Sequence, residues 1–253
     1  MRLKTLLLDI ETSPHRAYVW GIFKQTIAVN QIEEPGYTLC WSAKWLDKPK
    51  VYFSSLYHDG KEKMLHDIHA LLDEAEVIIH YNGSNFDIPT LNQEFLVSGL
   101  MPPSPSLQID LLKTVRARFR LPSNSLNYLC RYLGVGEKTA HKGMELWTAC
   151  MAGDKKAWAV MKEYNINDIK ILEAAYNKIK PWVVSHPNHN LFISENDPVC
   201  PNCGSVSIQK RGLYHTNAYT YQRFCCNNCG AWSRGRKTLI PAEKAETILV
   251  GIR

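Results

Sequence analysis

Apolar positions along the first two-thirds of the chain follow two rhythms, short unbroken runs and a helical repeat. Thr5–Thr12 opens with Leu6, Leu7 and Leu8 and stops at a Ser13-Pro14 turn, a bounded apolar run that predicts a buried strand. Residues 16–23 and 37–46, rich in aromatic and β-branched side chains, predict with Val51–Ser55 further strands of the same sheet. Residues 61–76 place Met64, Leu65, Ile68, Leu71 and Leu72 at helical spacing, an amphipathic helix lying on that sheet. Residues 77–81 are again continuously apolar, as expected of a strand covered on both faces and reached by a helical crossover. Strand, helix, strand in this order predicts an α/β domain.

The chain then leaves the second apolar strand through an Asn82-Gly83 turn and enters a predicted helix over 88–97. Residues 101–106 are a Pro-rich loop, and Asp110 stands at the start of a segment, 109–119, that runs into Arg116, Arg118 and Arg120. A helix is expected over 123–133, closed by Gly134. The polar loop 135–144 carries Lys138, His141 and Lys142, which either face solvent or touch a phosphate backbone. Residues 154–180 are helical throughout. Residues 181–199 turn to Pro, Asn and His without a period, which predicts a domain of residues 1–182, a linker over 183–199 and a second module over 200–253.

With 253 residues, 45% hydrophobic and 21% charged, the composition is that of a soluble globular protein large enough for one full core and a small appendage. No apolar stretch approaches the roughly 20 residues that span a bilayer, and no secretory h-region opens the chain, so a cytoplasmic protein without membrane contact is expected. The net charge of +6 is compatible with a polyanionic partner.

Cysteine changes the picture at the C-terminal end. Cys200-Pro-Asn-Cys203-Gly204 and Cys226-Asn-Asn-Cys229-Gly230 form two knuckles with 22 residues between them, the ligand set and spacing of a zinc ribbon holding one structural Zn²⁺. Cys225 adjoins a ligand, but only Cys226 gives the two-residue spacing. Residues 213–224 predict hairpin pairing, and a third strand starts at Ala231-Trp232. Arg211, Arg223 and Trp232, among further basic and aromatic residues, suit single-stranded nucleic acid; a solvated basic face or a protein-docking surface is the alternative.

The remaining chemistry is carboxylate. On a strand, Asp9 and Glu11 point to one face, and two like charges so close demand a cation unless the strand end is simply solvated. Oxygen-only ligands suit Mg²⁺ or Mn²⁺. Asp87 falls at a helix N-terminus, where it serves as a cap, as a ligand at the end of a central strand, or as both. Asp110 is read as a cap or ion-pair partner of the nearby arginines in preference to an extra metal ligand. A spacing of four stacks Tyr164 over Asp168 on one helix face, at the border of the buried side.

Asp9-x-Glu11, Asn82-Gly-x-x-Phe86-Asp87 and Tyr164-x-x-x-Asp168, in this order over about 182 residues, resemble the three motifs of the DEDD 3′-to-5′ exonucleases. The second motif is most similar to the exonuclease domains of B-family polymerases. Tyr164 matches the tyrosine branch, since the histidine branch carries its base five residues before the last aspartate, where Glu163 stands. The resemblance implies a ribonuclease-H-like mixed sheet flanked by helices, and hydrolysis of nucleic acid, single-stranded DNA in preference to RNA, with no organic cofactor. It implies two Mg²⁺ or Mn²⁺ ions on Asp9, Glu11, Asp87 and Asp168, with Tyr164 orienting the attacking water. Phe86 is expected in the core and Asn82 either at the substrate backbone or only in the turn. A structure-selective endonuclease and a non-catalytic nucleic-acid adaptor working through the ribbon are the competing readings.

Overall fold

The computed structural model describes residues 3–183, 185–192 and 197–252, so that 184 and 193–196 of the expected linker lie outside the described residues. The described residues divide into two compact units, one of Lys4–Asn177 and one that begins at Lys178.

The first unit is a mixed α/β fold. Its strands are β1 (Thr5–Thr12), β2 (Arg16–Ala17), β3 (Ile32–Glu34), β4 (Thr38–Trp45), β5 (Val51–Ser55), β6 (Val77–His80) and β7 (Leu107–Asp110). Its helices are α1 (Leu56–Asp59), α2 (Lys61–Glu74), α3 (Asp87–Val97), α4 (Leu111–Arg118), α5 (Leu126–Leu133), α6 (Met144–Met151) and α7 (Lys155–Ile179), the last ending at the start of the second unit. Five strands form one sheet in the order β5-β4-β1-β6-β7. β1 runs antiparallel to β4 and parallel to β6, and β6 runs parallel to β7. This central place for β1 explains its unbroken apolar run, because both faces are covered. Leu6, Leu8 and Ile10 pack with Trp41, Met64, Leu65, Ile68 and Phe95 into one cluster. On the other side Leu39 and Cys40 meet Trp158, Met161 and Tyr164.

Three expectations are corrected. Residues 16–23 do not add a strand to the main sheet: only β2 forms, paired with β3 in a separate ribbon, and Trp20 and Phe23 stand 98% and 85% exposed. The aromatic run has strand propensity, but both edges of β1 are already taken by β4 and β6, and such propensity counts only where a pleated surface is free to receive it. Within 109–119, β7 ends at Asp110, which stands as the expected cap of α4. Phe86 is exposed rather than buried, because it occupies the N-cap position of α3 while Ile88 and Leu91 supply that helix's core contacts. The expected capping carboxylate is therefore displaced by one residue: Asp87 is the first residue of α3 and not its cap.

The second unit holds a three-stranded antiparallel sheet, β10-β9-β8, of β8 (Ile208–His215), β9 (Thr220–Cys226) and β10 (Trp232–Arg234), followed by a single turn, α8 (Ala242–Ala245). Its buried cluster is small, consisting of Cys200, Cys226 and Ala231 with Cys203, Ile208 and Cys229 against them. So little apolar area cannot by itself offset the entropy of ordering the module.

Candidate active site

β1 delivers Asp9 and Glu11 from the centre of the sheet, and α7 crosses to bring Tyr164, Asn165 and Asp168 against them. A ligand oxygen from each of Asp9, Glu11 and Asp168 lies within 4.8 Å of the other two. Asp87 stands beside this trio rather than in it, its Oδ1 accepting a hydrogen bond of 3.1 Å from the Ile10 backbone amide. That bond ties the first turn of α3 to the middle of β1 and holds the second motif next to the first.

The electrostatics call for a cation. Burial, helped by the charges of Glu11, Asp87 and Asp168, pushes the Asp9 carboxyl well above the usual carboxylate range. Burial likewise raises Glu11 to about 8, and Asp87 to about 7 against the pull of its bond from Ile10. Asp168 is only 1% exposed, and burial raises it despite the neighbouring Lys138. Its Oδ1 is buried and accepts no hydrogen bond among the described residues. A buried carboxylate oxygen without a donor, among carboxyls that resist ionising, is a donor set fitted to a hard divalent cation.

Two contacts of the carboxylates were not legible in the sequence, where Lys138 reads only as solvent-facing or phosphate-touching and Asn165 as a helix residue. Lys138 reaches in from the loop between α5 and α6, its Nζ 2.6 Å from Asp168 Oδ2 and 2.9 Å from the Tyr164 hydroxyl. Burial works against its charge, but Asp168 and Tyr164 more than compensate and hold the ammonium above its ordinary value. The loop is pinned on both sides of this residue: Asn127 Oδ1 accepts the Lys138 amide, and Asn167 Nδ2 donates to the Glu137 carbonyl. Asn165, fully buried, donates through Nδ2 to Asp9 Oδ2 at 2.7 Å. The first residue lies in a polar loop and the second is masked by helical periodicity. The only advance signal was that Asn165 is an uncharged polar residue on the inward face of an otherwise apolar helix.

Tyr164 is buried, with the edges of His141 at 4.8 Å and Trp147 at 6.0 Å against it, and burial raises its phenol above the ordinary value. Asn82 takes a left-handed backbone (φ 69°), and its amide donates to Asp110 Oδ1. Asp110 also caps α4 through the Leu112 amide. An open cleft of about 570 Å³ runs past Asp9, Tyr81, Asn82, Arg116, Asn124 and Lys138.

This geometry sits on a recognisable framework, for the family model described as the RNase_H superfamily matches residues 6–180. The chain belongs to the RNase_H superfamily. Among relatives, the DNA polymerase III PolC-type of Ureaplasma parvum serovar 3 (strain ATCC 700970) is 28% identical over 163 residues, 61% of this chain. The chain spans only 11% of that polymerase's length. A solved family B DNA polymerase from the hyperthermophilic archaeon Pyrobaculum calidifontis shares the fold, with a TM-score of 0.54 and 16% identity over 71% of this chain and 25% of that one. No described helix of this RNase_H superfamily member is long and apolar enough to cross a membrane.

The second unit gathers Cys200, Cys203, Cys226 and Cys229 so that their sulfurs all lie within 4.8 Å of one another. Cys200 and Cys229 are 3.6 Å apart and Cys203 and Cys226 3.7 Å. Four sulfurs each about 2.3 Å from a tetrahedral ion would be separated by about 3.8 Å, so the cluster is compatible with a zinc ribbon. Without a cation, burial pushes the Cys200 and Cys229 thiols up, the latter to about 11, while the amides of Cys229 and Asn228 bring Cys226 down to about 7 against its own burial, so one thiolate is at hand and a metal would have to displace the other protons. Cys225 lies outside the cluster, as its spacing predicts.

Proposed function

We propose that this protein is a metal-dependent 3′-to-5′ exonuclease of the tyrosine branch, acting on single-stranded DNA. The observation that carries the reading is the convergence of Asp9, Glu11 and Asp168 with a donor-less buried oxygen, on the RNase_H framework. The matches to polymerases support it, because the DEDD motifs are those of polymerase exonuclease domains. Two Mg²⁺ or Mn²⁺ ions at Asp9, Glu11, Asp87 and Asp168 would shield the phosphate, activate water and stabilise the leaving oxygen.

The chain's own residues supply the rest. Asn165 fixes the rotamer of Asp9, and the Ile10 amide fixes that of Asp87. Tyr164 is too weak an acid to act as a base near neutral pH, so it orients the attacking water by hydrogen bonding. Lys138 holds the Tyr164 hydroxyl and keeps a positive charge facing the cleft where phosphate charge develops. Asn82 and Arg116 line that cleft and would contact the strand's backbone. One structural Zn²⁺ on Cys200, Cys203, Cys226 and Cys229 would order the second unit.

The test uses 5′-labelled single strands with Mg²⁺ or Mn²⁺, beside a circular single strand and a matched RNA. Stepwise shortening of the linear DNA, an intact circle, and loss of activity in folded Asp9→Ala and Asp168→Ala variants are expected. Cleavage of the circle would make the enzyme an endonuclease, and undiminished activity of either variant would overturn the site.

A further inference from the structure

The second unit carries a surface that the catalytic reading does not use. In the three-stranded sheet, Tyr221, Arg223 and Cys225 alternate onto one face of β9. Their cross-strand partners share that face: Tyr214 lies opposite Tyr221, Arg234 opposite Arg223, and Trp232 opposite Cys225. The side chains interleave as cation and ring. The Arg223 guanidinium lies 4.9 Å from the Trp232 ring, with Arg211 5.9 Å from the same ring on its own approach. Arg234 lies 4.0 Å from the Tyr221 ring and 5.9 Å from that of Tyr214. Tyr214 and Trp232 are 45% and 53% exposed, too open for core packing to explain them.

Charge separates this face from an ordinary solvated sheet. Between Asp197 and Glu243 the sequence has Lys210, Arg211, Arg223, Arg234, Arg236 and Lys237 and no carboxylate at all. Ordinary surfaces intersperse both signs. Arg223 spends Nε on the Arg211 carbonyl and Arg234 one Nη on the Gly235 carbonyl, and neither has a carboxylate partner among the described residues. Guanidinium groups held against rings and without carboxylate partners match a chain of phosphates with bases splayed between them. A duplex offers the phosphates but hides the base faces, and an acidic protein offers charge without rings to stack.

We infer that this sheet face, formed by Arg211, Tyr214, Tyr221, Arg223, Trp232 and Arg234, is a binding platform for single-stranded nucleic acid, gripping phosphates with arginine and bases by stacking. The inference stands apart from the catalytic reading, since binding is read without hydrolysis and hydrolysis of a short substrate is read separately.

The experiment measures fluorescence anisotropy of labelled dT20 with the full chain, without added Mg²⁺ or Mn²⁺, and zinc content is checked for every variant. Wild-type protein should bind dT20 about tenfold more tightly than the same strand annealed to dA20, and about tenfold more tightly than a base-free strand of equal length. The triple change Arg211→Gln, Arg223→Gln, Arg234→Gln should weaken dT20 binding at least tenfold and flatten the log–log salt slope by about 2, from about 0.7 per phosphate contact. Trp232→Ala should bring dT20 down to the affinity of the base-free strand, and Trp232→Phe should restore most of the loss. Hydrolysis of a dinucleotide should be unchanged in all of them. Wild-type dT20 affinity in the zinc-loaded triple variant or in Trp232→Ala would overturn the inference, as would equal affinity for duplex. A triple variant that lost zinc would leave the Trp232 pair to decide alone.

Discussion

Removing one negative charge from the carboxylate cluster should make the metal-free protein more stable while abolishing its activity. Asp9→Asn is the cleanest change, because an asparagine oxygen can accept the same hydrogen bond from Asn165 Nδ2 that Asp9 Oδ2 accepts. Asp9 has ligand oxygens of Glu11 and Asp168 within 4.8 Å, and a pair of unit charges at that distance repels by about 3 kcal/mol at an effective dielectric of 20. Lys138 offsets part of this, and proton retention by Asp9 itself and by Glu11 relieves more, which leaves a net gain of about 1–2 kcal/mol at pH 8.5. For a chain of this size that corresponds to a Tm raised by about 2–8 °C. The pH dependence follows from the raised carboxyls. Glu11 and Asp87 titrate near 8 and 7 in the folded protein and near 4 to 5 when unfolded, so the folded state holds protons that the unfolded state has released. Wild-type stability without divalent ions therefore falls as pH rises from about 4.5 through 8, and the advantage of Asp9→Asn shrinks at pH 6. Calorimetry in buffer freed of Mg²⁺ and Mn²⁺, at pH 6 and 8.5, reads both, and Mn²⁺ added at pH 8.5 should stabilise wild type far more than the variant. A variant less stable than wild type at pH 8.5, or equal Mn²⁺ stabilisation of both, would refute the reasoning.

Other outcomes follow from particular contacts. Lys138→Met removes the ammonium shared by Asp168 and Tyr164 but leaves the pinned loop backbone, so single-turnover rates should fall by about 10² with KM changed less than about threefold; an unchanged rate would remove Lys138 from the site. Gly83→Ala would place a Cβ 2.5 Å from the buried His80 ring, at a cost of about 1–3 kcal/mol seen as a lower denaturation midpoint; an unshifted midpoint would show that the turn yields freely. Cys203→Ser with Cys226→Ser should abolish zinc binding and the hydrogen-exchange protection of β8 and β9 while the amides of β1 stay protected; loss in both units together would show that they unfold as one.

What the sequence determined by itself was local or periodic. The apolar run of β1, the helical spacing of α2, the knuckle spacing of the four cysteines and the four-residue step from Tyr164 to Asp168 are each set by the geometry of a single element. A resemblance carried by three such elements in order was enough to anticipate the mixed α/β fold. The tertiary structure decided everything that depends on which element neighbours which. The aromatic run at residues 16–23 has no place beside β1 because β4 and β6 occupy both of its sides. Lys138 became part of the site because the crossing of α5 and α7 pins its loop, and Asn165 because α7 turns that face toward Asp9. Their roles lie in contacts across 30 and 156 residues of chain, and no period of 2 or 3.6 encodes such distances. The same holds for the raised carboxyls, since Asp9 acquires its charged neighbours only when the third motif, far along the chain, packs against the first.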